Sequence, residues 1–106
     1  MVFSMEEIRN RIAPIAKKYG LRAVFVFGSY ARGEATADSD IDLLIDRTGS
    51  NIRGMLDMGN LYNELCASYG KEIDLITTHT LEQHSTKSRI PSFVENLQTE
   101  RIRIYG

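Results

Sequence analysis

The sequence predicts one small α/β (α+β) domain in which a small mixed β-sheet is flanked by helices. Three observations favour this class: helical and strand-like periodicities alternate, the β-branched segments are short, and neither a repeat nor a linker interrupts them. The chain has 106 residues, 42% of them hydrophobic, which suffices for one hydrophobic core. We therefore interpret residues 1–106 as a single domain.

The first elements are a helix and two strands. Ser4 and Glu7 have the S-x-x-E spacing of a capping box, and apolar residues then recur at helical spacing up to a stop at Gly20. Residues 21–27 are β-branched and aromatic, which predicts a buried strand. A polar turn segment separates it from a second predicted strand at about residues 41–45.

An amphipathic helix is predicted next, with Ser50 or Asn51 as a candidate cap. The helix ends at Gly70. Its apolar stripe consists of Met55, Met58, Tyr62, Leu65, Cys66 and Tyr69.

The remaining chain predicts two more strands and a short helix. Residues 72–77 are short and alternating, as in a third strand. Residues 78–88 are polar and indicate a loop or a frayed helix, and Pro91 suits the first turn of a short helix. Ile102 and Ile104 alternate with arginines, which predicts a closing strand.

Composition excludes several classes of protein. The net charge is -1, so no overall basic field favours direct nucleic-acid binding or an anionic membrane surface. No apolar run has the length of a bilayer span. Cys66 is the only cysteine, which excludes an intrachain disulfide and suits a reducing compartment. We expect a cytoplasmic protein without membrane contact.

Three aspartates are candidate metal ligands. Asp40 and Asp42 are two residues apart and share one face of the second strand, and Asp74 is early in the third strand. If those strands are neighbours, three carboxylates converge and raise one another's pKa values. A hard divalent cation such as magnesium relieves this repulsion, since carboxylate oxygens are its preferred ligands.

A candidate phosphate site precedes these acids. Gly28 and Ser29 follow the first strand, where glycine permits close ligand approach and backbone N–H groups can bind an anion. Arg32 lies within one turn of them and could contact a phosphate or pair with an acid. A phosphate site beside a carboxylate metal site indicates phosphoryl or nucleotidyl transfer.

The stretch "GSYARGEATADSDIDLLID" resembles the motif of the DNA polymerase beta-type nucleotidyltransferases: Gly-Ser, ten residues, then Asp-x-Asp. Three features resemble the minimal branch of that superfamily, the MNT proteins. They are the residues Gly-Ser-x-Ala-Arg-Gly-Glu-Ala followed by Ser-Asp-Ile-Asp-Leu, the third carboxylate in "EIDLI" and the ending "ERIRIYG". The resemblance implies a single nucleotidyltransferase-fold domain. It further implies that Asp40 and Asp42 bind two Mg²⁺ ions, that Asp74 holds the catalytic metal and assists deprotonation of the acceptor, and that Gly28 and Ser29 bind the phosphates of ATP.

The minimal branch also resembles antitoxins that are paired with HEPN-type RNase toxins. This implies a hetero-oligomer in which AMP from ATP is added to a tyrosine of the toxin. The catalytic motif and its sheet together occupy most of the 106 residues, which leaves no room for a dedicated acceptor-binding domain. Two alternatives stay open: a small-molecule nucleotidyltransferase of the aminoglycoside-modifying type, and a non-catalytic antitoxin that neutralises by binding. Nucleotide specificity, the acceptor residue and the number of groups transferred are not fixed by the sequence.

Overall fold

A computed structural model describes residues 2–77 and 101–106 of the chain. Its helices and strands are α1 (Met5–Tyr19), β1 (Ala23–Phe27), α2 (Gly28–Arg32), β2 (Ile41–Asp46), α3 (Met55–Tyr69), β3 (Ile73–Thr77) and β4 (Ile102–Tyr105). The strands form one mixed sheet in the order β3-β2-β1-β4. The predicted class, a small mixed sheet flanked by helices, is confirmed.

Local signals define helix α1 at both ends. The Ser4 side chain accepts a hydrogen bond from the Glu7 N–H, and the Glu7 carboxylate accepts one from the Ser4 N–H. Gly20 ends the helix in the left-handed conformation, with φ of 69°. The helix buries Ile8 and Ile12 completely against the sheet and α3. The predicted capping box and stop are thus confirmed.

The register of the strands decides which side chains share a face. Strands β1 and β2 are antiparallel, with Phe27 opposite Asp42. Strands β2 and β3 are parallel, with Asp42 opposite Asp74. Because side chains alternate along a strand, Ile41 and Ile73 point to the face covered by the helices, and the aspartates point to the other face.

The main core lies between that covered face and helices α1 and α3. Its largest fully buried side chains are Ile8, Ile12, Val24, Val26, Ile41, Leu43, Ile45, Leu61 and Leu65. A smaller cluster on the opposite face joins Phe27 and Leu44 with the half-buried Phe25 and Ile76. The aspartates therefore share their face with an apolar cluster.

Helix α3 differs from its prediction in two ways. The predicted stripe includes Met55 and Tyr62, but these side chains are 90% and 38% exposed, whereas Leu61 is fully buried. Ser50 and Asn51 do not cap the helix, because α3 begins at Met55 and Gly54 is its N-cap.

The chain before α3 is held by other contacts. The Ser50 hydroxyl accepts a hydrogen bond from the Ile52 N–H, and the Asn51 N–H donates to the Tyr19 carbonyl. Helix α3 is tied to α1 through Tyr69, whose hydroxyl donates to the Ile8 carbonyl at 2.8 Å. Half-buried Cys66 packs against the core, as a small core residue does.

Two further predictions concern other parts of the chain. The strand at residues 72–77 and the closing strand are confirmed as β3 and β4. The loop or frayed helix at residues 78–88 and the short helix at Pro91 lie outside the described residues. In the part of the chain that the structure describes, no helix is long and apolar enough to cross a membrane.

Candidate active site

The candidate site lies where β1 ends and β2 and β3 begin. Antiparallel pairing of β1 with β2 brings the end of β1 to the start of β2, and parallel pairing brings the start of β3 to the same edge. Gly28, Asp42 and Asp74 therefore meet at one edge of the sheet. The neighbouring strands that the sequence argument required are present.

Asp42 is the most perturbed acid of the site. It is half-buried, and its pKa is raised to about 7. Burial is the largest cause, followed by a hydrogen bond with the Asp74 carboxyl group and then by the negative charges of Asp74 and Asp40. The guanidinium of Arg32 opposes this rise. Two carboxyl groups that face each other here cannot both ionise without cost.

The donor atoms of this site suit a hard cation. Asp42 and Asp74 present only carboxylate oxygens, and a divalent ion would favour the ionised form of both. Asp40 is exposed, and its negative charge contributes to the raised pKa of Asp42. Among the described residues, no three side chains of His, Cys, Asp or Glu already form a cluster that could hold a metal ion. The facing pair is thus the part of the predicted metal site that the fold itself assembles.

Gly28 is required by the close approach of Asp42. Its φ is 71°, in the left-handed region that L side chains rarely adopt. A Cβ at this position would overlap the Oδ2 atom of Asp42 and lie 3.1 Å from its Cγ. The backbone of Gly28 therefore lies close against the Asp42 carboxyl group.

The turn that follows Gly28 is the short helix α2. The first N–H groups of a helix have no partner within that helix, so this turn presents donors close to Asp42. The turn ends at Gly33, and the Glu34 N–H donates to the Ser29 carbonyl at 2.9 Å. Gly28 and Ser29 thus lie at the predicted junction between a strand and a short helix, and phosphate binding there stays a prediction.

Arg32 makes a surface ion pair. Its Nε donates to Glu34 Oε2 at 3.1 Å, and 43% of its side chain is exposed. The guanidinium still lowers the pKa of Asp42, so Arg32 acts on the site electrostatically. A phosphate contact by Arg32 stays a prediction.

Sequence reasoning missed a lysine that links the parts of the site. Lys71 Nζ donates to the Tyr30 hydroxyl at 3.2 Å and to the Ser39 carbonyl at 2.7 Å. No motif marks this residue, because its partners are 41 and 32 positions away in the chain. Its position three residues before Asp74 is the one sequence feature that points to it.

A known protein family and a known enzyme are similar to this chain in sequence. The family model described as "Polymerase beta, Nucleotidyltransferase" matches residues 10–101. The protein adenylyltransferase MntA of Thermococcus cleftensis is 33% identical over 91 residues, which cover 82% of this chain and 90% of that protein.

Two solved structures have a similar fold. One, provisionally described as a minimal nucleotidyltransferase, is 31% identical, with a TM-score of 0.65 over 94% of this chain and 95% of that chain. The other is a tri-AMPylated Shewanella oneidensis HEPN toxin in complex with an MNT antitoxin. The similarity has a TM-score of 0.60 at 16% identity and covers 96% of this chain and 72% of that chain. At that identity it shows a shared fold.

Proposed function

Because this chain belongs to the polymerase beta nucleotidyltransferase family, we propose that it transfers AMP from ATP to a protein hydroxyl. The acceptor we propose is a tyrosine of a HEPN-type toxin, which the transfer would inactivate, so that this enzyme acts as the antitoxin. Residues 1–106 form one minimal nucleotidyltransferase domain in this proposal.

One observation carries the proposal: Asp42 and Asp74 face each other beside the backbone of Gly28. Nucleotidyl transfer needs negative charge to be neutralised where phosphate oxygens meet carboxylates. The raised pKa of Asp42 indicates that this charge conflict is present before any substrate binds. A phosphate-binding turn and an acidic pair in direct contact are the arrangement that this chemistry requires.

Magnesium is the cation that fits these oxygen donors. Asp42 and Asp74 would hold it, together with Asp40, and two ions are proposed as in the related family. When bound, magnesium neutralises the charge of the triphosphate and of the carboxylates.

The residues of the chain have separate tasks in the reaction. The Gly28–Ser29 turn binds the phosphates that leave as pyrophosphate. The exposed Asp74 carboxylate accepts the proton of the acceptor hydroxyl. The hydroxyl oxygen forms a bond to the α-phosphorus while the bond from that phosphorus to pyrophosphate breaks.

The choice of acceptor is supported by what similar proteins are. The Thermococcus cleftensis relative is named a protein adenylyltransferase, and the solved MNT antitoxin is bound to an AMPylated HEPN toxin. These names favour a protein acceptor over a small molecule. A toxin partner makes the working form a hetero-oligomer.

Labelling with ATP tests the proposal. The protein is incubated with α-labelled ATP, Mg²⁺ and the HEPN-type protein encoded beside it, and label should appear on that partner. Asp42→Asn and Asp74→Asn should each lower the labelling rate about 100-fold or more, because each removes a charge that the transition state needs. Asp38→Asn is the matched control, since Asp38 is an exposed acid of the preceding turn.

The possible results separate the candidate functions. Label on a small molecule and on no protein contradicts the antitoxin proposal. Full labelling by both site variants shows that the assignment of the carboxylates is wrong. Toxin neutralisation that persists in an unlabelled Asp42→Asn complex shows that binding alone suffices.

A further inference from the structure

Lys71 joins three segments that meet at the candidate site. It lies between α3 and β3, three residues before Asp74. Its Nζ donates one hydrogen bond to the Tyr30 hydroxyl, in α2, and another to the Ser39 carbonyl, just before β2. Both bonds are partly buried, so water competes for them less than on an open surface.

The Tyr30 contact fixes the phosphate-binding turn. Tyr30 directly follows Ser29, is 5% exposed and belongs to the main core. Its hydroxyl also accepts a long hydrogen bond, 3.5 Å, from the Phe3 N–H. Lys71 Nζ lies 5.5 Å from the centroid of the Tyr30 ring, within the range of a cation–π contact. The ring and the hydroxyl together hold α2 in place.

The Ser39 contact fixes the entry to β2. The Ser39 carbonyl directly precedes Asp40, and the Ser39 hydroxyl accepts a hydrogen bond from the Thr36 N–H at 2.8 Å. The Ser39 N–H in turn donates to the Thr36 carbonyl at 3.0 Å. The side chain of Lys71 reaches this closed turn through its 2.7 Å hydrogen bond to the Ser39 carbonyl.

We infer that Lys71 is a positioning residue for nucleotidyl transfer. Through Tyr30 and the Ser39 carbonyl, it holds the turn that binds phosphates at a fixed separation from the segment that carries Asp40 and Asp42. The inference rests on the proposed function, because it assigns those two segments to one reaction. Lys71 itself need not touch the substrate.

Removing the ammonium group should change the kinetics in a specific way. Without Lys71, α2 and the start of β2 lose one direct link and can shift relative to each other, so the phosphates and the carboxylates are less well aligned. Misalignment of about 1 Å can cost about 100-fold in rate. Because phosphate binding is disturbed as well, KM for ATP should rise while kcat falls. Simple loss of folded protein would lower the apparent kcat and leave KM unchanged.

The first experiment compares Lys71→Met with Lys17→Met, using the labelling assay at varied ATP. Lys71→Met should lower kcat/KM about 10- to 100-fold with a raised KM. Lys17 is exposed in the last turn of α1, away from the site, so its variant controls for the loss of one charge. Lys71→Arg keeps the charge and the donors and should recover part of the loss.

A second variant keeps the inference testable if Lys71→Met does not fold. Tyr30→Phe retains the ring and removes one acceptor of Lys71, so KM for ATP should rise, though less than in Lys71→Met. Where Lys71→Met does fold, the double variant should be no worse than Lys71→Met, since both changes break the same link. If the losses multiply instead, Lys71 does not act through Tyr30 and the inference is overturned.

The remaining outcomes separate this inference from the proposed function. If the wild type labels its partner and neither variant changes KM or kcat, the positioning role is wrong and the proposed function stands. If the wild type labels no partner, the positioning role is tested by comparing the equilibrium affinities of the wild type and Lys71→Met for magnesium-ATP. Weaker affinity in Lys71→Met then supports the positioning role, and equal affinity overturns it.

Discussion

At the residue scale, the site depends on backbone that comes unusually close to a carboxylate. Gly28 combines a left-handed φ with contact to the Asp42 side chain, so two separate physical reasons exclude a larger residue. Gly49 shares the first reason, with φ of 72°, but a Cβ there would meet no atom within 4 Å. A comparison of substitutions at Gly28 and Gly49 therefore separates the effect of backbone strain from the effect of overlap with the Asp42 side chain.

Gly28→Ala should destabilise the protein more than Gly49→Ala. Gly49→Ala carries only the strain of an alanine in the left-handed conformation, about 1 kcal/mol, whereas Gly28→Ala must also displace the Asp42 side chain. Urea unfolding of both variants measures the difference in free energy of unfolding. Equal losses would show that Asp42 can move away without cost. Labelling activity should fall sharply in Gly28→Ala and be retained in Gly49→Ala.

Asp42 should make the stability of the metal-free protein depend on pH. Its folded pKa is raised to about 7, whereas an unfolded aspartate titrates near about 4. Its contribution to stability is therefore complete below about pH 4 and is lost as the pH rises through about 7.

Urea unfolding in the presence of EDTA measures this effect at about pH 5.5 and about pH 8. The wild type should lose stability between these values, and Asp42→Asn should lose less, because its amide does not titrate. Mg²⁺ at the higher pH should restore stability to the wild type alone. Identical pH dependence in the two proteins would show that Asp42 does not carry the effect.

At the element scale, local signals predicted the helices and strands well, and the burial of α3 poorly. The capping box and Gly20 define α1 because those contacts are made within a few residues. In α3, by contrast, Met58, Leu61 and Leu65 all recur at helical spacing. Only packing against α1 and the sheet decides that the helix turns Leu61 and Leu65 inward.

The stability lost when a side chain of α3 is truncated should depend on how deeply the structure buries that side chain. Leu65→Ala should cost about 2–5 kcal/mol in free energy of unfolding, because it leaves a cavity in the core. Met55 is 90% exposed, so Met55→Ala should stay within about 0.5 kcal/mol of the wild type. Denaturant unfolding of the two variants measures both values. A large loss of stability in Met55→Ala would show that Met55 is buried, as the sequence predicted.

The candidate site was predictable only in part for a related reason. The motif identifies Gly28, Asp40 and Asp42 by spacing along the chain. That Asp74 faces Asp42 depends on parallel pairing in one register, which no local signal fixes. The contacts of Lys71 depend on how the whole fold brings distant segments together.

At the scale of the whole molecule, one core joins the described helices and strands. The cluster includes residues from α1, α3 and all four described strands, and the Phe3 and Tyr69 rings meet edge to face at 5.5 Å. The Tyr69 hydroxyl adds a buried hydrogen bond to Ile8, and burial raises its pKa. Within residues 2–77 and 101–106, such a shared core favours unfolding as one unit.

Unfolding in urea should therefore be a single transition. Far-UV circular dichroism follows the helices, and tyrosine fluorescence follows the core around Tyr30 and Tyr69. The two curves should coincide within error, as expected for a small cooperative domain. Separated midpoints would show that the sheet and the helices unfold independently.

The register of β2 against β3 limits how this chemistry can be lost in evolution. A deletion between Gly70 and Ile73 that shifted β3 by one residue would turn Asp74 toward the helices and expose Ile73. Slippage of the strand would thus damage the core along with the active site. Descendants that abandon catalysis but keep the fold should instead replace the aspartates themselves. Such inactive homologues would be recognised by substitutions at Asp42 and Asp74 within an otherwise intact sheet.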